Sequence, residues 1–199
     1  MKRQLLFMVL TIVFSLSSTA QTTIELDTEA SSLKWRGSKL FGFGEHYGTL
    51  DFDLGQAIMD GGDLIGGTFI VDMRTMKNTD GDYSENLIRH LSNEDFFDVE
   101  TYPTASLVIT SIEFYPPGEP MGVVNKLRAT ADLTIMGTTK DISFDGTLNS
   151  DRTELSTQFI IDRTRWGIMY GSQKVIKIQD HILSDAIEFD ARLVFKSAI

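Results

Sequence analysis

Residues 126–148 read KLRATADLTIMGTTKDISFDGTL. Leu127, Ala129, Ala131, Leu133 and Ile135 alternate with Arg128, Thr130, Asp132 and Thr134. After Met136-Gly137 the period resumes, with Ile142, Phe144, Gly146 and Leu148 set against Ser143, Asp145 and Thr147. Successive side chains of a strand point to opposite faces, so a period of two means one buried face and one wet face. A helix would repeat its apolar positions every three or four residues. The stretch therefore predicts two antiparallel strands joined by a tight turn at Met136-Gly137.

The same period recurs along the chain. Gly48, Leu50, Phe52 and Leu54 form one inward set; Phe69, Val71 and Met73 form another; Ile187, Phe189, Ala191, Leu193 and Phe195 form a third. Residues 22–26, 32–36, 105–114 and 154–162 complete eight or nine predicted strands. Turn chemistry separates them at Asp60-Gly61-Gly62, Pro116-Pro117-Gly118 and Asn149-Ser150-Asp151. Connections this short join antiparallel neighbours in a meander. Single-faced strands in one domain leave a sandwich or a closed barrel as solutions. A barrel of eight strands has no exposed edge and can hold one small ligand.

The N-terminus reads as a leader. Lys2 and Arg3 precede an apolar run from Leu5 to Leu16, and Ser18-Thr19-Ala20 suits a signal peptidase. The expectation is a signal peptide at 1–20, a single domain at 21–199 and a soluble periplasmic or secreted product. The apolar run falls short of the roughly 20 residues a membrane-spanning helix needs, and no later stretch approaches that length, so an integral membrane protein is not expected. With no cysteine, neither disulfides nor a thioether lipid anchor are available. The formal net charge is −10, and losing Lys2 and Arg3 would make it −12. Such a chain repels nucleic acid, which is excluded as a partner.

Residues 76–103 interrupt the meander with a connection too long for a hairpin, and such connections are usually functional. Ser84 suits a helix cap ahead of an apolar stripe of Leu87, Ile88 and Leu91, and Asn93 suits the cap of a second turn. Glu94, Asp95, Asp98 and Glu100 surround Phe96 and Phe97, with His90 upstream. Paired carboxylates would need to face one cavity in contrasting environments to catalyse, and no nucleophile or further ligand lies nearby. Caps and a solvated face are the preferred reading. The two rings need burial, and the barrel interior offers the apolar volume. The insert is read as a lid anchored by Phe96, Phe97 and Leu91.

Chemistry elsewhere is sparse. His46, His90 and His181 are far apart and fit no metal-ligand spacing, so no metal site is assigned. There is neither a GxSxG motif nor a cysteine nucleophile; no catalytic residue is assigned, and an enzyme is not expected. His46 shares the parity of Leu50 and Phe52, where it could meet a ligand head group or stand as a satisfied barrel-end histidine. Arg163 and Arg165 flank Trp166; they could fork to an anionic ligand, stack on the indole, or pair with Asp162.

These strings together resemble the YceI-like family of bacterial secreted lipid-binding proteins. The similarity runs from about residue 24 to 195 in order: SSLKWRGSK, GEHYGTLDF, GGTFIVDMRTMKNTD, LIRHLSNEDFFDVETYPTASLVITSIE, ADLTIMGTTKDISFDGTL, IDRTRWGIMYGS and LSDAIEFDARLVF. The resemblance implies an all-β, antiparallel, eight-stranded lipocalin-like barrel with a short helical insert. It also implies an apolar tunnel for a long polyisoprenoid, such as an isoprenoid quinone or prenyl lipid, carried as cargo and not as a cofactor. Family members can form homodimers. On this reading Leu50, Phe52, Phe69, Val71, Leu133 and Ile135 form the wall together with Phe144, Phe159 and Phe189. Trp35, His46, Arg163, Arg165 and Trp166 are expected at a polar mouth that takes an amphiphilic lipid. The competing reading is an envelope stress or interaction protein whose barrel is filled by its own side chains, with a hydrolase acting through Asp95 and Asp98 as the lesser alternative.

Overall fold

A computed structural model describes residues 21–39, 44–81, 84–115, 125–172, 174–175 and 183–196. The leader at 1–20, the Pro116-Pro117-Gly118 turn and His181 lie outside these residues. Nine strands follow one another: β1 (Thr22–Glu25), β2 (Ser32–Lys39), β3 (Glu45–Asp60), β4 (Asp63–Asn78), β5 (Thr104–Phe114), β6 (Asn125–Ile135), β7 (Thr138–Leu148), β8 (Glu154–Asp162) and β9 (Leu183–Val194). The helix α1 (Ser84–Ser92) stands between β4 and β5, and a short 3-10 helix, Arg163–Trp166, follows β8. Every pairing between these strands is antiparallel. Strands β2 to β9 pair with their chain neighbours, and β9 returns to β2, closing an eight-stranded barrel. β1 pairs only with the far half of β3, continuing the line of β2.

The hairpin at 126–148 has an unbroken register from Asn125–Leu148 to Ile135–Thr138. Its turn places Met136 at φ 48° and Gly137 at φ 68°. Two left-handed residues make the tight turn whose twist matches that of the flanking strands.

β3 and β4 depart from simple alternation. Register shifts at Thr49/Asp51, Phe52/Leu54 and Ile58/Met59 change which parity faces inward. Leu54, expected inside, is therefore 49% exposed, while Ala57 and Met59 are buried. On β4 the residues between Asp72 and Lys77 bulge out of the ladder. Thr75 holds the bulge, donating to the Asp72 carbonyl at 2.7 Å and accepting from the Asp51 amide at 2.8 Å. Met73 and Met76 both turn inward as a result. Gly48 faces this bulge: a Cβ there would lie 1.7 Å from the Lys77 carbonyl oxygen and 2.7 Å from the Trp35 ring. No larger residue fits.

The insert begins later than expected, because β4 runs to Asn78. After α1 the chain makes successive turns and no second helix. Asn93 caps them, its side chain accepting from the Asp95 amide at 3.0 Å and its carbonyl from the Phe96 amide at 3.1 Å. Phe96, Phe97 and Val99 are buried, whereas Glu94, Asp95 and Glu100 are exposed. The acids trim the lid and the rings anchor it.

Candidate ligand-binding cavity

The barrel has a filled end and a hollow end. Near the β6–β7 side of the filled end, Leu127 and Leu148 are fully buried, and Leu26 and Phe195 pack beside Phe69 there. Towards α1 the interior opens into a cavity of about 550 Å³. All nine residues expected in the wall line it, from Leu50 and Phe52 on β3 to Phe189 on β9. Leu91, Phe96 and Phe97 line it from the lid. Alternation, continued through closed register, brings the nine wall residues from six strands to one space.

The aromatic residues have a particular arrangement. Phe144, Phe159 and Phe189 stack in a row across β7, β8 and β9, with centroids 5.4 and 5.3 Å apart. The row spans a gap in the sheet. β7 and β8 pair only at Gly146–Thr157, Thr147–Ser156 and Leu148–Leu155. Beyond that, the Thr157 hydroxyl donates to the Asp145 carbonyl at 2.8 Å and the strands part.

The 3-10 helix covers the gap. Arg165 donates to the Asp141 carbonyl at 2.9 Å, on the part of β7 that has left β8. Trp166 donates its indole N–H to the Leu133 carbonyl at 3.1 Å and is buried. Neither lines the cavity, so the expectation that they stand at a ligand mouth is corrected: both satisfy backbone carbonyls. Trp35 is corrected in depth. It lines the cavity as part of the wall, buried and in register with Gly48 and Phe189, and is not a polar rim.

Arg163 lines the cavity and is 1% exposed. It does not pair with Asp162, which instead caps the 3-10 helix and meets Lys174. Arg163 donates to the carbonyls of Ile168 at 2.7 Å and Ser184 at 3.1 Å, and lies 3.5 Å from Asp185. Burial pushes its pKa down, while Asp185 and Asp162 oppose that shift. Its guanidinium stands 5.3 Å from the centre of the Phe96 ring. A buried cation needs such partners, and here they clamp the lid, the 3-10 region and the start of β9 together.

The mouth carries the polar chemistry. His46 lies there, half exposed, its Nδ1 3.2 Å from Asp80. Asp80 is nearly buried and also accepts from the Tyr47 amide at 2.9 Å and from Asn78 at 2.6 Å. Burial alone would raise the Asp80 pKa, but hydrogen bonds from Asn78, Tyr47 and His46 outweigh it and hold the carboxyl below its usual range. An ionised Asp80 accepts a hydrogen bond from Nδ1–H and leaves His46 Nε2 for solvent or ligand.

Two mouth residues escape a sequence reading. His90 packs edge-on to Tyr170 at 4.4 Å and lines the cavity. Lys39 lines it because it keeps the inward parity of Leu33, Trp35 and Gly37 at the open end of β2. Its ammonium has no partner among the described residues. The sequence signal for Lys39 was its parity, two and four residues beyond Gly37 and Trp35. Among the described residues no group of His, Asp and Glu could hold a metal ion, and no helix is long and apolar enough to cross a membrane.

A family model described as the YceI-like domain matches residues 24–195. A UPF0312 protein of Pseudomonas putida strain W619 is 29% identical over 133 residues, 66% of this chain. That match spans 64% of the relative's own length. Burkholderia cenocepacia BcnA superposes with a TM-score of 0.62 at 19% identity, over 85% of this chain and 98% of that one. A polyisoprenoid binding domain from Saccharophagus degradans, implicated in plant cell wall breakdown, gives 0.53 at 15% identity, over 91% and 100%. At these identities the structural likeness is one of fold.

Proposed function

This chain belongs to the YceI-like family, and from that premise we propose that it is a periplasmic or secreted binding protein holding a long isoprenoid or similar amphiphilic lipid. Its role is to carry or sequester that lipid, not to transform it. The observation that supports this most is the apolar cavity of about 550 Å³ inside the barrel, a size within the usual range for ligand pockets. A barrel filled throughout by its own side chains would have no such space. Enclosing a tail is favourable by about 0.8 kcal/mol per methylene, offset by the loss of ligand freedom. The Saccharophagus domain is named for polyisoprenoid binding, which agrees in chemical class.

Native mass spectrometry and organic extraction of protein purified from its own host test the proposal. The expected result is one unaltered lipid, such as an isoprenoid quinone or prenyl lipid, per barrel. Repeated absence of lipid, with no uptake of added prenyl or acyl chains, would overturn it. Amino-terminal sequencing of the exported protein tests the compartment, with Gln21 expected as the first residue.

A further inference from the structure

The insert over the cavity is held unevenly. Its turns, residues 93–103, are built in. Phe96, Phe97 and Val99 are buried, the Arg163 guanidinium stands 5.3 Å from the centre of the Phe96 ring, and the Pro103 carbonyl accepts from the Met73 amide at 2.9 Å. α1 is held far less firmly. None of its nine residues is buried, and its stripe of Leu87, Ile88 and Leu91 is only partly covered. Its side-chain hydrogen bond, from Arg89 to Asn86 at 2.7 Å, stays within the helix. Among the described residues no hydrogen bond or ion pair runs from α1 to the barrel. The directional contact is His90, edge-on to Tyr170 at 4.4 Å.

The two ends of α1 differ as well. The Leu91 and Ser92 carbonyls accept from the Phe97 and Val99 amides at 3.1 and 2.9 Å, which ties the C-terminal end to the fixed turns. Ahead of the helix the last anchored residue is Asp80, gripped by His46, the Tyr47 amide and Asn78. Gly81 follows it, exposed, and a Cβ there would meet nothing within 4 Å. A glycine in open space takes up backbone rotation without steric cost. Leu87, His90 and Leu91 of α1 roof the cavity.

We propose that α1 is the gate of the cavity. It swings about its tied C-terminal end, with Gly81 as the second hinge and the His90–Tyr170 contact as the catch, while residues 93–103 stay fixed as its frame. This rests on the reading that the cavity takes a ligand. A stripe already partly exposed has less apolar area to uncover when it lifts, and a few residues at the ends of an element are enough to absorb the change. The rival entrance is the gap between β7 and β8. Extending the Gly146–Thr157 register sets Ser143 opposite Ile160 across it, both exposed on the outer face.

The chain has no cysteine, so introduced pairs can be joined selectively. Stopped-flow exchange of N-phenyl-naphthylamine, an apolar fluorescent probe, is followed in two proteins: His90→Cys with Tyr170→Cys across the gate, and Ser143→Cys with Ile160→Cys across the gap. Each pair is joined by a short reversible bis-thiosulfonate linker. Joining the gate should abolish uptake and release, and reduction should restore both; joining the gap should leave them unchanged. Unjoined, the gate pair lacks its catch and should exchange faster than the parent. Exchange that persists with the gate joined, or that stops with the gap joined, would overturn the proposal. A second measurement needs no ligand and uses exposed sites only. Spin labels at Ser143→Cys and Glu85→Cys, on the swinging end, should give a broad distance distribution, whereas Ser143→Cys with Glu100→Cys, on the frame, should give a narrow one. Equally narrow distributions would overturn the division into gate and frame. A parent protein that takes up no probe would overturn the lipid-binding reading instead, and the label distances would still decide the motion of α1.

Discussion

The two ends of this barrel share the same strands and alternation, yet one is solid and the other hollow. At the solid end Leu127 and Leu148 have no exposure. At the hollow end Leu107, Phe159 and Phe189 are only partly buried and face open space. Side-chain size does not explain this, since both ends carry leucines and phenylalanines. The bore does. β7 and β8 part above Gly146–Thr157, and β4 bulges between Asp72 and Lys77. Both departures lie at the hollow end and widen the sheet beyond the reach of its own side chains. Alternation decides which residues face inward; ladder irregularity decides whether they meet.

Matched truncations test that contrast. Leu127→Ala, at the solid end, should lower stability by about 2–5 kcal/mol, because it opens a void in close packing. Urea denaturation would show this as a lower midpoint with an unchanged slope; a loss under about 1 kcal/mol would mean the solid end is not solid.

Asp80→Asn comes next, at about 1–3 kcal/mol near neutral pH, because it weakens a nearly buried cluster of hydrogen bonds. The folded Asp80 carboxyl has a depressed pKa. Its contribution is therefore present above the unfolded carboxylate value and lost as pH falls through the folded one. The gap between variant and parent should close over that acid range in denaturation midpoints measured as a function of pH. A gap that persisted below it would place the effect elsewhere.

The smallest effect is expected for Leu107→Ala, at about 1 kcal/mol, since a wall facing space has fewer contacts to lose. A loss equal to that of Leu127→Ala would erase the distinction between the two ends. Added lipid should stabilise the parent more than this variant, as scanning calorimetry would record.

Legibility in the sequence follows the same division. The hairpin at 126–148 could be read residue by residue because its register is unbroken. Antiparallel pairing was equally accessible from the short turns, whereas closure into a barrel rather than a sandwich came only with the family resemblance. Leu54 was misread because a bulge reverses parity beside it, and bulges depend on pairing partners, not on local composition. Lys39 was overlooked although it shares the inward parity of Trp35 and Gly37. His90 was seen but not placed: its contact with Tyr170 comes from how the lid docks, eighty residues along the chain. Trp166 and Arg165 show another limit. A buried indole sealing a strand edge and one facing a ligand need the same local sequence, and only the carbonyls of Leu133 and Asp141 distinguish them.

The parting of β7 from β8 also has a mechanical side. Sheets resist dilation through their cross-strand hydrogen bonds, and a closed ring yields first at its weakest joint. Here that joint is already free over most of its length, tied by three residue pairs and the clasp of Arg165. The β6–β7 and β8–β9 ladders on either side run the length of their strands. A cylinder with one soft seam changes girth by opening along that line while its other walls stay rigid. Its interior can adjust to the thickness of a guest without melting any strand.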